Sequence, residues 1–167
     1  MKKLGLLIAF TLLVMLLSSC AREPRQQVDP VSKAGEAVFN EFFKYLTDQA
    51  TFPAVREKLV YLATSHSDAP AKAQNYIDSI KEQIPQDPDK MSSYSIIYYV
   101  EYTSKGFNLD SKPIDVTKVY LFTVEFRKTG YKYVMQIPLI SVSGKSDQLF
   151  MCMVYESSGT LRTFPSR

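Results

Sequence analysis

The sequence predicts an α+β domain in which about three N-terminal helices pack on one face of a curved antiparallel sheet of about four strands. Apolar residues recur at helical spacing as far as Ile80 and alternate at period two from Tyr94 onward. Helices grouped ahead of strands indicate α+β layering, whereas a parallel sheet would alternate the two. Composition agrees: with 46% hydrophobic and 22% charged residues, the chain has the apolar content to fold around one core and falls outside the disordered class.

The chain opens on Lys2 and Lys3, an uncharged apolar run of 14 residues from Leu4 to Leu17, and the small residues Ser18 and Ser19. That is the layout of a secretory signal peptide, and the run is shorter than the roughly 20 residues with which a helix spans hydrocarbon. Residues 1–19 are therefore read as a leader. The boundary Leu17-Ser18-Ser19-Cys20 resembles the lipobox of bacterial lipoproteins. The resemblance implies a diacylglyceryl thioether on Cys20 and membrane attachment through acyl chains such as palmitate. Each buried methylene contributes about 0.8 kcal/mol, so two or three chains make a firm anchor. Ala21, where an Asp would be the alternative signal, is similar to the pattern that enteric-type bacteria sort to the outer membrane. The expected location is the cell envelope, on the outer membrane facing the periplasm where the host has one.

Residues 20–32 read as the lipidated cysteine and a flexible tether, rich in charged residues, Gln and Pro. A dozen extended residues reach about 40 Å, enough to hold a domain clear of the head groups. Residues 33–167 form a single domain of ordinary size. Its first helix spans Lys33 to Gln49, with Val38, Phe39, Phe42, Phe43 and Leu46 on one face. A second runs from Pro53 to about Thr64, with Val55, Leu59, Leu62 and Ala63 in a stripe and Pro53 in its first turn. A third begins at Asp68-Ala69-Pro70, where Asp68 is placed to cap, and continues through Tyr76, Ile77 and Ile80 until Pro85.

After Asp89 the period changes to two. A first strand sends Tyr94, Ile96, Tyr98, Val100 and Tyr102 to one face and Ser95, Ile97, Tyr99, Glu101 and Thr103 to the other. A second, Val116 to Arg127, places Tyr120, Phe122, Val124 and Phe126 together. Lys128-Thr129-Gly130 turns into a third strand with Tyr131, Tyr133, Met135 and Ile137 on one face, the clearest hairpin in the chain. Pro138 cannot donate to a ladder and marks a bulge, an end or an edge. A fourth strand is expected over Gln148–Glu156, followed by a turn and a short tail. The helices are expected to cover the aromatic face, leaving Glu101, Thr103, Glu125, Arg127, Lys132 and Gln136 on the other. This order of elements, from Lys33 to Glu156, resembles the nuclear transport factor 2-like or cystatin-like superfold, whose enzymes place a His/Asp or Asp/Asp pair in the cone between sheet and helices.

Candidate chemistry is sparse. The formal charge is only +3, and Lys2 and Lys3 belong to the leader, so no nucleic-acid partner is expected. The two cysteines are Cys20 and Cys152. Lipidation of the first leaves Cys152 either buried and inert or available to another chain. One histidine and one remaining cysteine cannot furnish a His/Cys zinc set, and no phosphate loop or hydrolase motif occurs. Neither metal nor cofactor is expected. His66 lies close to Asp68 and invites a general-base reading, but the same residues suit an interhelical turn. The core-facing sheet positions as read from alternation carry no carboxylate and no histidine, so no catalytic residue is assigned.

Tyrosine is the remaining signal: Tyr94, Tyr98, Tyr99, Tyr102, Tyr120, Tyr131, Tyr133 and Tyr155 are concentrated in the strands, where the residue packs well and also builds recognition surfaces. Tyr98, Tyr99, Tyr102, Tyr120 and Tyr133 are the candidate binding surface or pocket, with Tyr98, Tyr102, Tyr120 and Tyr133 on the core-facing stripe. The expected function is a non-catalytic envelope lipoprotein that binds a protein partner, as accessory parts of envelope machines and immunity proteins do. The alternatives are a carrier for a small apolar ligand and a small enzyme. Replacement Cys20→Ala is expected to leave uncleaved or mislocalised precursor, checked by immunoblotting of fractionated cells. Soluble mature protein from both wild type and variant would refute the anchor.

Overall fold

A computed structural model of the chain describes residues 29–62, 66–85, 91–103, 116–142, 145–157 and 160–163. The expected leader, Cys20 and most of the expected tether lie outside these residues. The protein is α+β. Its elements run α1 (Pro30–Leu46), α2 (Phe52–Leu59), β1 (Val60–Leu62), α3 (Ala69–Gln83), β2 (Ser93–Thr103), β3 (Val116–Lys128), β4 (Tyr131–Val142), β5 (Lys145–Phe150), β6 (Cys152–Ser157) and β7 (Thr160–Thr163). β2-β3-β4-β5 form an antiparallel meander. A smaller sheet, β1-β6-β7, pairs β1 parallel to β6 and β6 antiparallel to β7.

Helix α1 starts three residues before the expected Lys33. Pro30 supplies a fixed φ in the first turn, and the Asp29 carboxylate accepts hydrogen bonds from the backbone N–H groups of Val31 (3.4 Å) and Ser32 (3.3 Å). The buried stripe is Gly35, Val38, Phe39, Phe42 and Leu46, which lies across the large sheet. Phe39 meets Phe122 edge-on at 5.5 Å between centroids, and Phe42 meets Phe126 at 6.3 Å. Polar contacts at the helix ends tie α1 to its neighbours. Glu41 binds Lys44 (2.8 Å) and, across to α2, Lys58 (3.0 Å). The Tyr45 hydroxyl donates to Asp78 of α3 (2.5 Å) while Lys81 lies over the Tyr45 ring and pairs with Asp48 (3.1 Å).

Three elements depart from the periodicity reading, each for a pairing reason. The second helix stops at Leu59, since Val60–Leu62 pair in parallel with Cys152–Val154. The expected fourth strand is two strands, broken at Met151, whose N–H donates to the Leu59 carbonyl (2.8 Å) as the chain passes from one sheet to the other. The expected tail contains β7. Pro138 sits within β4 and opposite Leu121. β5 pairs with β4 only over Ile140–Val142, so β4 is locally an edge at Pro138, the kind of sheet position that tolerates proline. Gly130, at φ +80°, makes the β3-β4 turn as expected.

Gly35 sets how closely α1 approaches the sheet. A Cβ there would lie 2.5 Å from two ring atoms of Phe122. That ring is fully buried between Phe39 and Tyr99, at 5.5 and 5.2 Å, and has nowhere to retreat. In a helix Ala outranks Gly by about 1 kcal/mol, but overpacking a filled core costs about 1–3 kcal/mol, and here the second effect should win. Gly35→Ala is therefore expected to lower stability in urea unfolding, and the loss should disappear in a Phe122→Leu background. A more stable Gly35→Ala protein would refute the close approach.

Candidate interaction surface

β2 does not alternate as one strand. Its register with β3 shifts between Ile96 and Tyr98: Ile96 is opposite Val124, Tyr98 opposite Thr123 and Tyr99 opposite Phe122. The extra residue is a β-bulge, and since side chains alternate with period two, it exchanges the faces of everything beyond it. Tyr94 and Ile96 lie on the helix side as expected. Past the bulge Tyr99 and Glu101 take that side, while Tyr98, Val100 and Tyr102 turn outward. The assignment of Tyr98 and Tyr102 to the core-facing stripe, and of Tyr99 and Glu101 to the far face, is thus corrected. Glu125, Arg127, Lys132 and Gln136 keep the outer positions expected of them.

The five candidate tyrosines divide among three places. Tyr99 and Tyr120 pack edge-on at 5.7 Å beneath the start of α1. Tyr133 is half-buried on the helix side and lines a cleft of about 240 Å³ with Pro85, Met91, Phe126, Lys128, Tyr131 and Lys132. Tyr98 and Tyr102 lie on the outer face, 51% and 36% exposed, with Val100, 41% exposed, between them. Across the ladder these three sit beside Thr123, Leu121 and Val119, and those in turn beside Gln136, Pro138 and Ile140. The result is one contiguous aromatic and aliphatic area. At one margin it runs into a buried cluster of Val116, Val119, Ile140, Val142 and Phe150, against which Tyr61 packs. At the other it meets the ion pairs of Glu125 with Arg127 (2.6 Å) and Lys132 (3.7 Å). Thr123 Oγ1, in the floor of this area, is buried without a hydrogen-bond partner among the described residues.

A groove of about 580 Å³ separates α1 from β2, lined by Ser32, Glu36 and Asn40 on the helix and by Tyr94 to Tyr98 on the strand. Two tyrosine bonds hold its walls in place. Tyr94 donates to Asn40 Oδ1 (2.7 Å), and Tyr99 donates to the Asp29 carboxylate (2.5 Å). The latter bond, helped by the N–H groups of Ser32 and Val31, holds the Asp29 carboxyl below the usual range, and it pushes the Tyr99 hydroxyl up to about 12 together with burial. Nearby, Glu101 pairs with Lys118 at 2.8 Å, so a carboxylate does stand on the helix side, at the exposed rim and already neutralised.

His66 Nδ1 lies 2.6 Å from the Asp68 carboxylate, and Lys72 is 3.6 Å from the same group. Asp68 occupies the N-cap position of α3 but makes no capping bond with its side chain, so the carboxylate expected to cap binds the imidazole in its place. Burial raises the Asp68 pKa, but the His66 bond and the charges of Lys72 and His66 outweigh it and leave the group lowered. All three side chains are solvent-accessible. Cys152 is fully buried, its thiol pushed upward by desolvation, which makes it a core residue of the inert kind. Among the described residues no group of three or more His, Cys, Asp or Glu is placed to hold a metal, and no helix is long and apolar enough to cross a membrane. No protein-family model, curated protein or solved structure matches the chain.

The Asp29–Tyr99 bond has a definite pH window. Asp29 is lowered from the ordinary 3.8, so its contribution is full above that value and is lost as pH falls through the lowered one. Tyr99 is raised from 10.0, so its contribution is full below that value and lost as pH rises toward about 12. Tyr99→Phe should melt below wild type at neutral pH, with the gap closing at both extremes. Thermal melts by circular dichroism across the pH range test this, and a gap that ignores pH would refute it.

Proposed function

We propose that this chain is a bacterial envelope lipoprotein, anchored through lipid on Cys20, whose domain is non-catalytic and binds a protein partner through the outer face of its large sheet. An accessory part of an envelope machine, or an immunity-type protein, would have this build. The observation that carries the reading is the bulge at Ile96–Tyr98, which turns Tyr98, Val100 and Tyr102 to solvent as a group. Apolar area left in water forgoes about 25 cal/mol per Å², and contiguous patches of this kind mark interaction sites more often than they occur idly. Tyrosine suits the role, giving large rigid area with a polar tip.

A carrier role has one observation in its favour, the cleft lined by Met91, Phe126 and Tyr133, which would take a small apolar molecule. The His66–Asp68 pair is the strongest ground for an enzyme, yet both residues are open to water and hold each other in a turn.

The partner reading is tested in cells with a photo-cross-linking phenylalanine analogue. Position 98 should give adducts of defined mass, and position 82, on the exposed side of α3, should not. Tyr98→Glu with Tyr102→Glu should reproduce the phenotype that deletion produces while leaving the domain folded by circular dichroism, since both side chains lie on the exposed outer face. His66→Gln should behave as wild type. A folded His66→Gln protein without function, or no adduct at position 98, would overturn the reading.

A further inference from the structure

The edge of β2 differs from the other sheet ends in length. β2 has 11 residues and stands at the end of the order β2-β3-β4-β5. Among the described residues, one row of its backbone N–H and C=O groups therefore has no strand beside it, over about 36 Å at 3.3 Å per residue. The other terminal strands are short: β5 has six residues, β7 four and β1 three. Exposed edges are usually blunted by proline, lysine or inward charge. The sequence Ser-Tyr-Ser-Ile-Ile-Tyr-Tyr-Val-Glu-Tyr-Thr contains neither proline nor lysine. Its single charge, Glu101, is taken by Lys118. Within the strand itself the blunting device is the bulge, and what it extrudes is Ile97, 52% exposed, which adds apolar area where a charge would protect.

We propose that this edge, with the groove between it and α1, receives an extended segment of the partner protein as an added strand, one that alternates cationic with apolar side chains. The inference rests on the partner-binding reading above and names how the partner docks. The groove runs beside the edge and is held open by Tyr94 on Asn40 and Tyr99 on Asp29. An added strand would satisfy the open backbone row and send alternate side chains to the two faces of the sheet. One row would continue the outer face beside Tyr98 and Val100, which selects apolar residues. The other would face the wall formed by Ser32, Glu36 and Asn40. Among the described residues the groove lining contains Glu36 and no Lys or Arg, which selects cations on that row. A second copy of β2 fits less well, because its only charge is another carboxylate.

The test uses the full-length chain purified in detergent and a fluorescein-labelled 11-residue peptide alternating lysine with valine. Fluorescence anisotropy should show saturable binding, and hydrogen exchange should show new protection of amides in Ser93–Thr103. Glu36→Lys should weaken this peptide at least tenfold and improve binding of the matching glutamate-valine peptide. Glu36 is exposed, so the variant should fold. The lysine-valine peptide methylated on alternate backbone nitrogens should not bind. Equal binding of the methylated peptide, protection away from β2, or no preference change with Glu36→Lys would overturn the strand-addition proposal. So would sedimentation showing that β2 is already occupied by a second copy. If cross-linking through position 98 persists while the peptide tests fail, only this inference falls. Loss of both removes the partner reading with it.

Discussion

The close approach of Gly35 in α1 to the Phe122 ring is the contact on which the rest of the arrangement depends. With no Cβ in the way, the helix sits low enough for Phe39 and Phe42 to reach Phe122 and Phe126. At that height Tyr94 and Tyr99 of the edge strand can hydrogen-bond to Asn40 and Asp29 of the helix. A larger residue at position 35 would lift the helix and pull those donors from their acceptors. The groove beside β2 is thus a consequence of core packing.

The second constraint is a single inserted residue. The bulge after Ile96 lets β2 serve two faces with aromatic side chains, Tyr94 and Tyr99 inward and Tyr98 and Tyr102 outward. Without it, strict alternation would bury Tyr98 and Tyr102 and expose Tyr99, removing its bond to Asp29. A bulge locally disrupts pairing and increases twist, and here it separates a packed half of the strand from an exposed half. Charges follow the same division. The ion pairs of Glu41 and Asp48 and the hydrogen bond from Tyr45 to Asp78 bind helices to one another, and the ion pairs of Glu125 border the apolar outer area.

Much of this was legible in the sequence. The helical stripes of α1 and α3, the β3-β4 hairpin with its Thr129-Gly130 turn, and the strand extents of β2 and β3 all follow from local periodicity, because each depends on residues at most a few positions apart. The burial of Cys152 could be anticipated from its apolar neighbours. β1, the break at Met151 and β7 could not, since each exists only through pairing with a segment distant in the chain or through a bond such as Met151 to Leu59. The early start of α1 had a local signal in Asp29-Pro30, overshadowed by the polar sequence before it.

For the candidate surface the division is sharper. Which residue types would build it, tyrosines in the strands, was evident from composition and alternation. Which of them face water was not, since period-two reading assumes an unbroken register and the register of β2 is set by its partner β3. Val124, Thr123 and Phe122 take successive partners Ile96, Tyr98 and Tyr99, skipping Ile97, because Tyr99 then packs against Phe122 and binds the helix cap. Local sequence specifies what each segment is. The choice of face comes from contacts between segments, where one residue of slip reverses inside and outside.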